Sequence, residues 1–257
     1  MTGFTPDLIL GHAFALVLVL ARIGATIALL PGLGESAIPA VVKAGMVLTL
    51  TILLLPIVEP SLPPRPESEL ALGLMVLTEL ANGLWFGWLA RILTTSLPLA
   101  GQFIADFAGL ANVLQPSPDL GAQTTAISRL YDVAVPVLIL STGLHTMLIS
   151  ALAGFYRLIP PGTLAWVPDS AATTVSVTAQ SFDLALRLAA PFILAAVAWH
   201  VAIGLIARLV PRLQVFFVAL PGQIGLSLLL LAAVAAPTVG AWMEAVRAGL
   251  VALPGGP

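Results

Sequence analysis

Apolar residues come in long runs along this chain, and the breaks between runs are short and rich in proline and glycine. A bilayer-spanning helix needs about 20 predominantly apolar residues. Runs of that order predict helices over 8–30, ending at Pro31-Gly32; over 38–55, stopping at Pro56; and over 70–97, ending at Pro98. Three more are predicted over 130–159, ending at Pro160-Pro161-Gly162; over 183–210; and over 213–236, with Pro221-Gly222 inside it. The stretch 239–253 carries Trp242, Met243, Glu244 and Arg247 and is less apolar, so it reads as a short C-terminal helix lying along a surface. Residues 56–69 form a proline-rich polar loop, and 161–182 a hydroxyl-rich connection, partly helical or disordered. The pattern predicts an all-α integral membrane protein: about six long hydrophobic helices in hairpins, a half-apolar central loop and the short C-terminal helix, in a single domain over 1–257.

That central loop, from Gly101 to Arg129, departs from the pattern. It opens half-apolar with Phe103, Ile104, Phe107, Leu110, Val113 and Leu114, breaks at Pro116-Ser117-Pro118 and continues through small and hydroxyl residues. Non-helical backbone at membrane depth survives only where protein or a water-filled cavity surrounds it. The segment is therefore expected to line or close a passage framed by the other helices.

Composition agrees with a membrane chain. Of 257 residues, 59% are hydrophobic and 9% charged, against about 25% charged in soluble domains. A net charge of -2 gives no sign of nucleic acid as a partner. With no cysteine there are no disulfides or thiolate metal sites. The N-terminus lacks a basic stretch, so the first run is expected to be a retained helix. Lys and Arg are shared evenly between the two sides of a six-span arrangement, and the positive-inside rule assigns no orientation.

Charges inside the runs are the candidates for chemistry. Glu79, Gly83, Gly87 and Arg91 are spaced by four, a stripe that drifts only about 40° per step. Gly83 to Gly87 is a small-xxx-small pattern that lets helices approach closely. Glu79 and Arg91 stand about 18 Å apart along a helix axis and need partners elsewhere. Arg22 is the candidate for Glu79. The stripe reads either as an ion or proton path or as a helix or subunit interface with paired charges, and the glycines favour the interface. His200, Gly204 and Arg208 share a second face; His200 is a possible proton relay, but bonding to a neighbouring helix is preferred, and His145 reads the same way. Arg208 and Arg212 flank Pro211 in a short turn suited to carboxylates or anionic lipid heads. Pro221 then frees the Phe217 carbonyl. No pair of the three histidines has metal-ligand spacing. No hydrolase or phosphate-loop motif is present, so no catalytic, cofactor or metal residue is assigned.

Four pieces resemble the FliR family of flagellar export-gate proteins, whose injectisome relative is the SctT family. They are Arg22 followed by Pro31-Gly32, Ile38-Pro39 and Lys43; the Glu79–Gly87 stripe; and Gly101, Ile104, Gly109 and Pro118 leading to Ser128-Arg129, Gly143-Leu144-His145 and Pro160-Pro161-Gly162. The fourth, Arg208-Leu-Val-Pro-Arg-Leu-Gln-Val-Phe216 followed by Pro221, resembles the family's Arg-x-x-Pro-Gln-x-Asn-Val-Phe turn. Arg212 and Gln214 depart from it. The family's central loop often carries aromatic residues that plug the pore; here the positions read Asn112-Val113-Leu114-Gln115, so a plug would be aliphatic.

The resemblance implies a non-enzymatic subunit of the flagellar type III protein export gate in the bacterial inner membrane. Its implied partners are FliP-like and FliQ-like subunits, an FlhB-like switch protein, membrane lipid, and unfolded flagellar proteins as substrates. It implies a constriction at Phe107, Gly109, Asn112, Val113, Leu114, Gln115 and Pro116. Helix or subunit contacts then fall to Arg22, Glu79, Gly83, Gly87, Arg91, His145, His200, Arg208, Pro211, Arg212 and Pro221. The alternatives are an SctT-like injectisome subunit, a secondary transporter with helices broken at Pro191 and Pro221, and a proton-handling subunit using Glu79 and His200. A missing internal repeat and missing cofactor ligands count against the last two.

Overall fold

The computed structural model describes residues 6–110, 125–165, 167–209 and 215–256. The helices are α1 (Pro6–Leu29), α2 (Ala40–Val58, followed by a 3-10 turn over Glu59–Ser61), α3 (Glu69–Thr94), α4 (Ser96–Phe107), α5 (Ala126–Ser141), α6 (Leu144–Leu158), α7 (Val167–Leu209) and α8 (Val215–Ala252). The described residues contain no strand. Five helical stretches are long and apolar enough to cross a membrane, or six if the bent pair α5–α6 is one span. The protein is an all-α membrane protein.

Four boundaries differ from the sequence pattern, each for a local reason. Pro98 does not end a helix. The chain breaks at Thr95 and restarts as α4, with Pro98 as the third helical residue, where a missing N–H leaves no intrahelical bond unmade. Phe103, Ile104 and Phe107 are therefore helical. The run 130–159 is two helices bent by 75°, because Gly143 at φ +77 takes a left-handed conformation that glycine adopts without steric penalty. The hydroxyl-rich connection is helical from Val167 onward. There Thr174 Oγ1 donates to the Ser170 carbonyl at 2.8 Å, so at least this hydroxyl is satisfied within the helix.

The short C-terminal helix is continuous with segment six in α8, which runs through Pro237. Its tail does not simply lie on a surface. Trp242, Val246 and Leu250, spaced by four, are buried, while Glu244 and Arg247 point outward. Trp242 is fully enclosed and donates its indole N–H to Ser96 Oγ at 3.1 Å.

The chain divides into two compact units: Met1–Leu93, Pro136–Val177 and Ala248–Pro257 form the first, Thr94–Val135 and Thr178–Arg247 the second. In the first, α1 is the central element. Its spanning stretch is 56% buried against 17% for α2. α3 lies against it through the predicted small-residue seam. A Cβ on Gly83 would overlap the Arg22 carbonyl oxygen, and one on Gly87 would sit 2.8 Å from the Thr26 carbonyl oxygen. In the second unit, α4 closes on α5 at Gly101, where a Cβ would meet Tyr131 Cδ2 at 2.7 Å and Ser128 Cα at 2.9 Å. Phe103 and Phe182 stack edge-on with centroids 6.1 Å apart.

Large apolar side chains remain exposed along whole helix faces: Leu70, Leu74, Leu77, Leu84 and Trp88 on α3, and Leu194, Val197, Val201 and Leu205 on α7. Continuous faces of this kind call for lipid or protein cover.

The α1–α3 seam predicts a contrast within one helix. Gly83→Ala meets main chain that cannot move aside and should lower stability by about 1–3 kcal/mol. Gly73→Ala has nothing within 4 Å of the new methyl and should gain about 0.5–1 kcal/mol from helix propensity. Thermal unfolding in detergent checks both signs.

Candidate functional site

Two polar constructions stand out against the apolar background. The first is in unit one. Arg22 and Glu79 are both fully buried. Arg22 Nε donates to Glu79 Oε2 at 2.6 Å and Nη2 donates to Oε1 at 3.0 Å, the bidentate geometry in which guanidinium and carboxylate bond most strongly. Each partner also bonds backbone. Arg22 Nη1 donates to the Ile159 carbonyl at 2.8 Å, and the Gly162 N–H donates to Glu79 Oε1 at 2.7 Å. The guanidinium lies over the Tyr156 ring at 4.3 Å and the Phe155 ring at 5.3 Å. Tyr156 donates its hydroxyl to the Val19 carbonyl at 3.3 Å.

One turn further on, Asn82 continues the polar face of α3. Its Nδ2 donates to the Thr163 carbonyl at 2.7 Å, and its Oδ1 accepts from the Ala165 N–H at 3.1 Å. Trp85 donates to Thr174 Oγ1 at 3.0 Å. A single face of α3 thus grips the turn between α6 and α7 at Gly162, Thr163 and Ala165, and Arg22 of α1 adds the Ile159 carbonyl. The sequence singled out Arg22 and Glu79 but not Asn82, although its i+3 spacing from Glu79 put it on the same face.

The second construction is in unit two, at the C-terminus of α4. Gly109 has φ +72. The Leu110 N–H bonds the Ala105 carbonyl at 2.9 Å and the Gly109 N–H bonds the Asp106 carbonyl at 3.4 Å, the pair that defines a Schellman stop. Leu110 and Ala105, the two residues joined by the first of these bonds, are both buried. Phe107 is 38% exposed. Its carbonyl accepts from Gln223 Nε2 at 3.0 Å. Gln223, absent from the sequence candidates, was signalled only as a polar residue beside Pro221-Gly222. Asn112, Val113, Leu114, Gln115 and Pro116 lie outside the described residues, as do Pro211 and Arg212.

The other candidates are not gathered at either place. Arg91 is half-exposed, 3.8 Å from Glu35 Oε1 and 3.4 Å from the Leu29 carbonyl. His145 Nδ1 stands 3.3 Å from the Ile139 carbonyl of α5. His200 Nδ1 sits 2.7 Å from the Ala196 carbonyl of its own helix, the ordinary reach of a histidine back over one turn. Arg208 and Pro221 are exposed. Among the described residues, no three His, Asp or Glu side chains are grouped to hold a metal ion.

Comparison with known proteins covers almost the whole chain. Residues 13–248 match the family described as bacterial export proteins, family 1. The chain is 33% identical over 236 residues to the flagellar biosynthetic protein FliR of Caulobacter vibrioides, covering 92% of this chain and 94% of that one. It is 28% identical over 224 residues to the flagellar biosynthetic protein FliR of Bacillus subtilis, covering 84% of each. It is 27% identical over 230 residues to the Yop proteins translocation protein T of Yersinia pestis, covering 88% of this chain and 87% of that one.

The buried ion pair predicts asymmetric responses. Arg22→Ala or Glu79→Ala leaves one buried charge without its partner and should cost about 3–5 kcal/mol. The exchange Arg22→Glu with Glu79→Arg should not restore stability. It turns a carboxylate toward the Ile159 carbonyl and a guanidinium toward the Gly162 N–H. Yield and melting temperature of the purified chain measure this; recovery in the exchanged pair would mean the backbone partners do not set the direction of the site.

Proposed function

The chain belongs to the bacterial export proteins, family 1, and on that premise we propose that it is a non-enzymatic subunit of a flagellar type III protein export gate. In this reading it forms, with FliP-like and FliQ-like proteins, the channel through which unfolded flagellar subunits leave across the inner membrane. An FlhB-like protein is its switch partner at the base. The carrying observation is the similarity to a flagellar FliR along nearly the full length of both chains.

The fold supports an assembly subunit over a free-standing transporter. α7 has 43 residues and α8 has 38, so each is roughly 60 Å long at 1.5 Å per residue, about twice the hydrocarbon thickness of a bilayer. Their exposed apolar faces extend beyond what one bilayer covers, which suits packing against other subunits. Arg22, Glu79, Gly83 and Gly87 serve contacts within the chain, whereas exposed His200, Arg208 and Pro221 remain available to partners. The whole chain works as one export-gate domain. Its constriction is assigned to Phe107, Gly109 and residues 112–116, next to the α4 stop. A second reading, an injectisome subunit, is favoured by the Yersinia pestis relative and is the weaker of the two because that similarity is lower.

A tagged chain, solubilised from its native membrane, should bring down FliP-like and FliQ-like proteins in one large complex. Injectisome homologues in their place would favour the second reading, and a clean monomer would end the gate reading. Deleting residues 109–116 should leave that complex mostly intact and make the membrane leak ions. A deletion that neither leaks nor alters export removes the constriction assignment.

A further inference from the structure

The two chain ends that bracket residues 111–124 are each held by a glutamine carboxamide, and both attachments lie in unit two. At the entry, the Schellman stop satisfies the carbonyls of Ala105 and Asp106. Phe107 O, in the last turn, accepts from the Gln223 carboxamide of α8 at 3.0 Å. The Gly109 Cα faces the same amide. A Cβ there would lie 3.5 Å from Gln223 Cδ and Nε2 and 3.7 Å from Leu220 Cδ1. The left-handed glycine and the glutamine therefore fit one another. Gln223 is itself 9% exposed, so its carboxamide has little water to turn to.

At the exit, Thr125 is the N-cap of α5. Its Oγ1 accepts from the Ser128 N–H at 3.3 Å, and its carbonyl accepts the first helical bond from the Arg129 N–H at 2.9 Å. The Thr125 N–H, which precedes the helix, donates to Gln102 Oε1 at 3.3 Å. Gln102 is held with its oxygen outward because its Nε2 faces Asp106, 3.2 Å from Oδ1 and 3.4 Å from Oδ2. Gln102 and Asp106 lie one turn apart on α4, the helix whose end Gln223 holds. The close approach of α4 and α5 at Gly101 fixes the distance that Gln102 has to cover.

From this geometry we infer that Gln223 and Gln102 are positioning residues that pin the two departure points of the 111–124 segment to α8 and α4. The inference rests on the constriction assignment for its consequence in export, but not for the pinning itself. Each pin is a single neutral amide hydrogen bond, a weak restraint beside the buried ion pair of unit one.

The test uses the full complex and four substitutions, Gln223→Leu, Gln223→Glu, Gln102→Leu and Gln102→Glu. Gln223→Glu is isosteric but turns an acceptor toward Phe107 O. Gln102→Glu keeps an acceptor for the Thr125 N–H but faces Asp106 with like charge. Amide hydrogen exchange should rise roughly five- to tenfold, the worth of one hydrogen bond. It should rise at 107–110 in both Gln223 variants and at 125–128 in the Gln102 variants. Potassium release from proteoliposomes holding the complex should rise in the same variants, with subunit composition unchanged. Unchanged exchange in all four overturns the pinning, and so does loss of the complex in all four, which would mark the glutamines as structural. Raised exchange without potassium release, in a complex whose 109–116 deletion also fails to leak, keeps the pinning and overturns the constriction assignment.

Discussion

A guanidinium and a carboxylate with no exposure have to find every partner inside the protein. On the insertion scale a lone charge at the bilayer centre costs about 2.5–3.5 kcal/mol, and a buried charge stripped of its partner costs more. Arg22 and Glu79 find theirs in two bonds between them, one backbone carbonyl, one backbone N–H, and two aromatic rings against the guanidinium. Much of unit one follows from it. α1 and α3 have to approach closely enough for the bidentate pair, which excludes a side chain at Gly83 and crowds one at Gly87. The α6–α7 turn has to present Ile159 O and Gly162 N together, and the positive φ of Gly162 lets it do so. Thr26 completes the seam, its hydroxyl 2.9 Å from the Arg22 carbonyl and 3.2 Å from that of Gly83.

A chain with so few charges uses uncharged polar groups where helices stop. Helix ends leave carbonyls and N–H groups without intrahelical partners, and in apolar surroundings each unmet group is costly. Asn82 serves one such place with both ends of its carboxamide, and Gln223 serves another at Phe107. Gln102 does so at Thr125, and Ser96 accepts the one polar atom of the enclosed Trp242. These contacts join residues far apart in sequence, so they also define which turns pack on which helices.

The apolar runs made the helix-rich architecture legible, and the stripe of four-residue spacing made the α1–α3 seam legible. Both are signals of period and composition, which survive without tertiary information. The pairing of Arg22 with Glu79 was readable because two buried opposite charges in one apolar chain have few alternatives. The boundaries that were misread depend on position within a turn. Pro98 looks like a stop but is harmless three residues into a helix. Gly143 lies within an apolar run that reads as one helix but takes a left-handed conformation that bends the span. Trp242 looked interfacial because Glu244 and Arg247 flank it, yet its i+4 neighbours Val246 and Leu250 place it on a buried stripe. Gln223 and Gln102 carried almost no sequence signal, since an amide in an apolar run becomes informative only when its acceptor is known.

The two kinds of polar contact differ in strength, and that difference separates what must hold from what can give. Removing one member of a buried ion pair costs about 3–5 kcal/mol, whereas a neutral hydrogen bond contributes about 1 kcal/mol net. Unit one thus carries at the α1–α3 seam a buried pair neither of whose members can be left alone. In unit two, the chain ends on either side of 111–124 are each held by a single neutral amide hydrogen bond. The strong charges sit where helices must stay together, and the neutral amides sit where the proposed constriction begins and ends.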